Sequence, residues 1–110
     1  MQSTRESGRT TKEKEMLYIE RNLSQRIKDM ESTMLLLLPS AIREATTAKI
    51  KVKKQRELLT ALNLCYKSIK DDINHCFKFG ELNYYHKNTL LNNLENNKKE
   101  WVNKINVMFG

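Results

Sequence analysis

The chain has 110 residues and a formal net charge of +7, and it contains only three Gly and one Pro. Sheet folds need a turn about every ten residues, and turns draw on Gly and Pro. This shortage excludes sandwiches, barrels and doubly wound sheets and favours a few long helices. Charged residues make up 30% of the chain, and the mean hydropathy is -0.68, values that are typical of a thin core with much surface.

The N-terminal part of the chain divides into a tail and a first helix. Residues 1–10 mix Ser, Thr, Gly and charged side chains, which predicts a flexible, disordered tail before a single helical domain over 11–110. Apolar residues then recur at steps of three and four, which predicts an amphipathic helix over about 11–38. The apolar stripe consists of Met16, Ile19, Leu23, Ile27, Met30, Met34 and Leu37.

Pro39 separates the first predicted helix from a second one over about 40–78, with Ser40 as its cap. A heptad pattern from Ala41 to Cys76, with Val52 and Leu59 among its core positions, is the strongest signal in the chain. Two arrangements fit the proline. In the first, it forms a tight turn that folds the second helix back as a hairpin. In the second, it only kinks one long helix, which packs against partner chains. Large side chains before Pro39 and small ones after it favour the hairpin.

Gly80 predicts the end of the second helix, because glycine adopts the left-handed backbone of a C-terminal cap. A third helix is predicted over about 82–109, starting near Gly80 or Asn83. The fold class is therefore all-α: long amphipathic helices that form a helical hairpin or three-helix coiled-coil bundle behind a flexible tail. The residues predicted to form a partner-binding helical seam are Leu59, Leu62, Tyr66, Ile69, Ile73, Trp101, Ile105, Met108 and Phe109.

A basic patch gives the middle of the chain most of its charge. It consists of Arg43, Lys49, Lys51, Lys53, Lys54 and Arg56. Such a patch fits a solvated coiled-coil flank, an acidic protein partner or nucleic acid. No aromatic residues alternate with these cations to stack on bases, which favours the first two interpretations over nucleic acid.

The sequence predicts no catalytic residues, no metal site and no cofactor. Cys65, His75, Cys76 and His86 have the residue types of a zinc site, but ten- and eleven-residue spacings do not match its ligand pairs. Gly-rich phosphate loops and nucleophile elbows are absent from the sequence. We therefore expect no enzyme activity.

These observations predict an intracellular, cytoplasmic or nuclear protein, because the chain shows no secretory signal and no apolar run long enough to span a membrane. The expected function is that of a non-enzymatic coiled-coil subunit, a scaffold or adaptor that forms homo- or hetero-oligomers with other helical proteins. The alternative is a nucleic-acid-binding protein that uses the basic face of residues 43–56.

Overall fold

The structure, a computed structural model, describes residues 11–110 and contains three helices. These are α1 (Thr11–Glu44), α2 (Ala48–Lys78) and α3 (Tyr84–Phe109). Each helix packs against the other two, in an up–down–up bundle that measures 66 × 27 × 16 Å. The predicted all-α, three-helix architecture is confirmed, and the predicted tail over 1–10 lies outside the described residues.

One apolar core runs along the axis of the bundle and draws on all three helices. No polar or charged residue among those described is buried, so the helices are held together by apolar packing at their shared interface. The buried side chains are Leu23, Ile27, Met30, Met34, Ala41, Leu58, Leu62, Tyr66, Ile69, Ile73, Leu82, Leu90, Leu94, Trp101, Ile105 and Phe109.

The first helix continues through Pro39, so its predicted end at residue 38 is wrong. Pro39 lacks the N–H that would bond the carbonyl of Leu35, but both residues are exposed to solvent. The helix therefore loses one hydrogen bond on its solvent side, where water can replace it. Beyond the proline, Ala41 is buried in the core, and this packing supports one more turn of α1.

The chain reverses six residues later than predicted, between α1 and α2. The amide of Thr46 donates to the carbonyl of Glu44 at 2.9 Å. Thr47 then caps α2: its hydroxyl accepts from the amide of Ile50 at 3.2 Å, and its backbone is extended. The hairpin is thus correct, but its cap is Thr47, whereas Ser40 lies inside α1.

The predicted end of α2 at Gly80 is confirmed. Gly80 has a φ of +75°, a left-handed conformation that glycine adopts without steric cost. Its amide donates to the carbonyl of Phe77, and the amide of Glu81 donates to that of Cys76 at 2.8 Å, as in a Schellman cap. Asn83 then caps α3 by accepting from the amide of His86 at 2.7 Å.

The heptad frame predicted from Ala41 is interrupted by the turn and shifted at the start of α2. Val52, a predicted core position, is exposed, and Leu59 is half-buried, while Leu58 beside it is fully buried. The first turns of α2 extend past the dense core, so their apolar positions have less to pack against. Gln55 donates to the side-chain oxygen of Asn106 at 2.9 Å, a polar pair between α2 and α3.

Candidate partner-binding groove

Aliphatic side chains remain exposed outside the core, and several of them border the junction of α1 and α2. Leu36 is 77% exposed and Leu64 is 64% exposed. Leu64 of α2 lines a cavity between the helices, as do Thr33 and Ser40 of α1. Leu36 lies between Thr33 and Ser40 on the same side of α1, because residues three or four apart share a helix face. The two leucines therefore form opposite rims of one groove. We define the α1–α2 groove by Thr33, Leu36, Leu37, Ala61, Leu64 and Cys65.

Two cavities open along this groove. The first, of about 350 Å³, lies between Thr33 on α1 and Cys65 on α2, and the buried Met30 and Ile69 form its floor. The second, of about 250 Å³, extends from Leu37 towards the turn between the helices. The short side chains of Thr33 and Ser68 line the first cavity beside the larger Leu64. The ridge of another helix packs into a groove of this kind.

An ion pair crosses the groove at each end. Arg26 of α1 pairs with Asp72 of α2 and also donates to the hydroxyl of Ser68 at 3.0 Å. At the other end, Glu44 of α1 pairs with Lys54 of α2 at 2.6 Å. Both pairs fit one antiparallel register, in which Leu36 and Leu64 lie within one helical turn of each other.

Lys54 forms ion pairs with carboxylates at the end of the groove that is next to the α1–α2 turn. Besides Glu44, it approaches Glu57 at 3.7 Å. The hydrogen bond from Lys54, followed by its charge, lowers the pKa of Glu44, and the hydrogen bond to Glu44 raises the pKa of Lys54. Lys54 is therefore not a free cation of the predicted basic patch.

The other five residues of that patch are exposed but do not share one face. Lys49, Lys53 and Arg56 lie on one side of α2, spaced by four and three residues. Lys51 points to the opposite side of the helix, and Arg43, on α1, donates to the hydroxyl of Ser40 at 3.4 Å. We call Lys49, Lys53 and Arg56 the basic face, and none of the three has an ion pair within residues 11–110.

The predicted partner-binding seam lies almost entirely inside the bundle. Seven of its nine members are buried, namely Leu62, Tyr66, Ile69, Ile73, Trp101, Ile105 and Phe109. Leu59 is half-buried against the same core, and Met108 is 52% exposed. The packing that the sequence analysis assigned to a partner is thus supplied largely by the chain's own three helices.

Leu64 and Ala61 are groove residues that the sequence analysis missed. They fall outside the heptad core positions of α2, so the pattern assigns them to its polar side. A signal was nevertheless present: together with Cys65 and Ser68 they form a second, weaker stripe at steps of three and four. This stripe marks the side of α2 that borders the groove.

The residue types of a zinc site do not come together. Within residues 11–110, no group of three or more His, Cys, Asp or Glu side chains could hold a metal ion. Cys65 and Cys76 are both free and half-buried. Burial, followed by a hydrogen bond with Glu81, raises the pKa of the Cys76 thiol, which makes it a poor nucleophile.

Aromatic side chains are exposed at the end of the bundle away from the α1–α2 turn. Phe79, Tyr84 and Tyr85 surround the α2–α3 connection and are largely exposed. The ammonium of Lys87 lies 4.4 Å from the ring centroid of Phe77 and 5.8 Å from that of Tyr84. The exposed aromatics are thus far from the basic face and cannot stack on a ligand that binds there.

Comparisons with known proteins return no relative. No protein-family model, no curated protein and no solved structure matches the chain. Within the part of the chain that the structure describes, no helix combines the length and apolarity needed to cross a membrane.

Proposed function

We propose that the protein is a non-enzymatic intracellular subunit, a scaffold or adaptor, that assembles by taking a helix of another chain into the α1–α2 groove. The observation that carries this proposal is the pair of exposed leucines on the two rims of the groove, Leu36 on α1 and Leu64 on α2. Burying one leucine side chain stabilises an interface by about 1.5–3 kcal/mol. A fourth helix along the groove would bury both and complete a four-helix bundle.

Co-purification from the native cells tests this proposal. We expect the tagged full chain to be recovered in a complex that is heavier than its own 13.0 kDa, as measured by light scattering. Leu36→Glu and Leu64→Glu should each release the partner, because a carboxylate in the groove would be buried by the docked helix. Val107→Glu is the matched control, since Val107 is an equally exposed aliphatic residue on α3, outside the groove.

All three positions are exposed, so all three variants should keep the helical circular dichroism of the parent protein. Recovery of the chain as a monomer would contradict the proposal. Loss of the partner to the same degree in the groove variants and in Val107→Glu would contradict it as well.

Nucleic-acid binding through the basic face is the second candidate function. It is favoured by the three unpaired cations Lys49, Lys53 and Arg56 on one side of α2. Three phosphate contacts predict that log Kd changes with log salt concentration with a slope of about 2.7. Replacing these three residues with Ala should abolish retention of duplex DNA or RNA without affecting a partner held in the groove.

A further inference from the structure

The charges along the α1–α2 groove differ in sign from those of the whole protein. Six charged residues line or bridge the groove: Arg26, Asp29, Glu44, Lys54, Glu57 and Asp72. Four of them are acidic and two are basic, so the groove carries a net charge of -2 on a protein of net charge +7. An occupant therefore meets an acidic surface.

The two cations in the groove are already paired. Arg26 is held by Asp72, and Lys54 is held by Glu44 at 2.6 Å. Two carboxylates keep charge that is not fully neutralised. Asp29 accepts from the neutral side-chain amide of Gln25 at 3.0 Å and has no ion pair within residues 11–110. Glu57 approaches Lys54, which it shares with Glu44, at 3.7 Å. They lie on opposite rims, Asp29 on α1 and Glu57 on α2.

The bridges also set a length for the occupant. Along α1, the bridging residues Arg26 and Glu44 are eighteen positions apart, which corresponds to about 27 Å of helix at 1.5 Å per residue. A helix of about eighteen residues fits between them. Its apolar side would pack on Leu36, Leu37 and Leu64.

We infer that the occupant of the α1–α2 groove is an amphipathic helix of a different protein, with a leucine-rich stripe flanked by Lys or Arg that pair with Asp29 and Glu57. This inference rests on the proposed function, that a helix binds in the groove. A second copy that presented its own groove would bring acidic rims against acidic rims. Like charges at a facing surface oppose association, so self-pairing of two grooves is disfavoured.

Two synthetic helical peptides of eighteen residues test the inference with the full-length protein. They share one leucine stripe and carry either Lys or Glu at the flanking positions, and binding is followed by fluorescence anisotropy in 0.15 M NaCl. We expect the Lys peptide to bind about tenfold more tightly, because two surface ion pairs replace two repulsive contacts. In 0.5 M NaCl the difference should shrink, since salt screens exposed charges.

Charge reversal in the groove provides the specific readout. Asp29→Lys combined with Glu57→Lys should invert the preference, so that the Glu peptide binds more tightly. Asp71→Lys combined with Glu100→Lys changes the net charge by the same amount at exposed positions outside the groove and should leave the preference unchanged. Leu36→Glu should weaken binding of both peptides.

Three outcomes would overturn the inference: equal binding of the two peptides, binding of neither, or an identical effect of the two charge-reversed pairs. Sedimentation equilibrium of the protein alone supplies a fourth, since an oligomer that Leu36→Glu disrupts would make the occupant a second copy. If both peptides bind equally and Leu36→Glu abolishes their binding, the groove still binds a helix. The proposed function would then be kept, and only the basic character of the partner would be rejected. Loss of the proposed function is read separately, from the co-purification.

Discussion

Replacing Pro39 with Ala should stabilise the protein, because the proline lies inside α1 and its ring is exposed. Proline is about 3 kcal/mol less favourable than alanine within a helix, since it lacks the N–H and crowds the preceding turn. No buried contact is lost with the ring. Allowing for local relaxation around the proline, we expect the free energy of unfolding to rise by about 1–3 kcal/mol.

Two cap variants make this prediction specific to the position of the turn. Thr47→Ala removes the hydroxyl that accepts from the amide of Ile50 and should cost about 1 kcal/mol. Ser40→Ala lies within α1, where alanine is a good helix former, so its effect should stay within about 0.5 kcal/mol. Were the turn at Pro39 and Ser40, the order of these two effects would be reversed.

Urea unfolding followed by circular dichroism at 222 nm measures all three variants, and an unchanged m value would indicate that each has altered stability alone. A loss of stability in Pro39→Ala would refute the continuous helix. So would a larger cost for Ser40→Ala than for Thr47→Ala.

Three further predictions concern the core, the thiols and the ion pair at the turn end of the groove. Leu94 is 0% exposed, so Leu94→Ala should lower the free energy of unfolding by about 3–5 kcal/mol in the same urea assay. Because burial raises the pKa of Cys76, iodoacetamide at pH 8 should modify Cys76 several times more slowly than Cys65 on the open groove, as measured by mass spectrometry of tryptic peptides. Lys54 lowers the pKa of Glu44 in the folded protein. The pair therefore stabilises the fold above the pKa of Glu44 in the unfolded chain, and this stabilisation is lost as pH falls through the lower pKa of the folded state. In acid titrations, the difference in stability between the wild type and Glu44→Gln should vanish at low pH.

The sequence correctly predicts the all-α class and the end of α2, because the end of α2 depends on the conformation of a single residue. Gly80 supplies a left-handed backbone that other residues adopt only at a cost, so its role is decided by its own chemistry. The role of Pro39 depends on tertiary packing. A proline costs a helix a few kcal/mol. The burial of Ala41 two residues later favours continuing the helix, and the sequence alone does not reveal this burial.

The candidate groove is less predictable than the core. Heptad spacing identifies most residues that face the bundle axis, such as Leu62 and Ile73, because the period of a helix fixes which side they share. The groove depends on how α1 and α2 are rotated against each other and on their register. Those quantities bring Leu36 and Leu64 to facing rims, although they are 28 positions apart in the chain.

The two candidate functions use different sides of α2. Lys54 is connected to both, so replacing it would not distinguish one function from the other. It belongs to the predicted basic patch, yet it is paired with Glu44 and Glu57 at the end of the groove. Removing it would leave those carboxylates unneutralised and alter the surface that a helix meets. A variant in which Lys49, Lys53 and Arg56 are replaced and Lys54 is kept therefore separates the functions: it should lose any affinity for nucleic acid while it retains a helix in the groove.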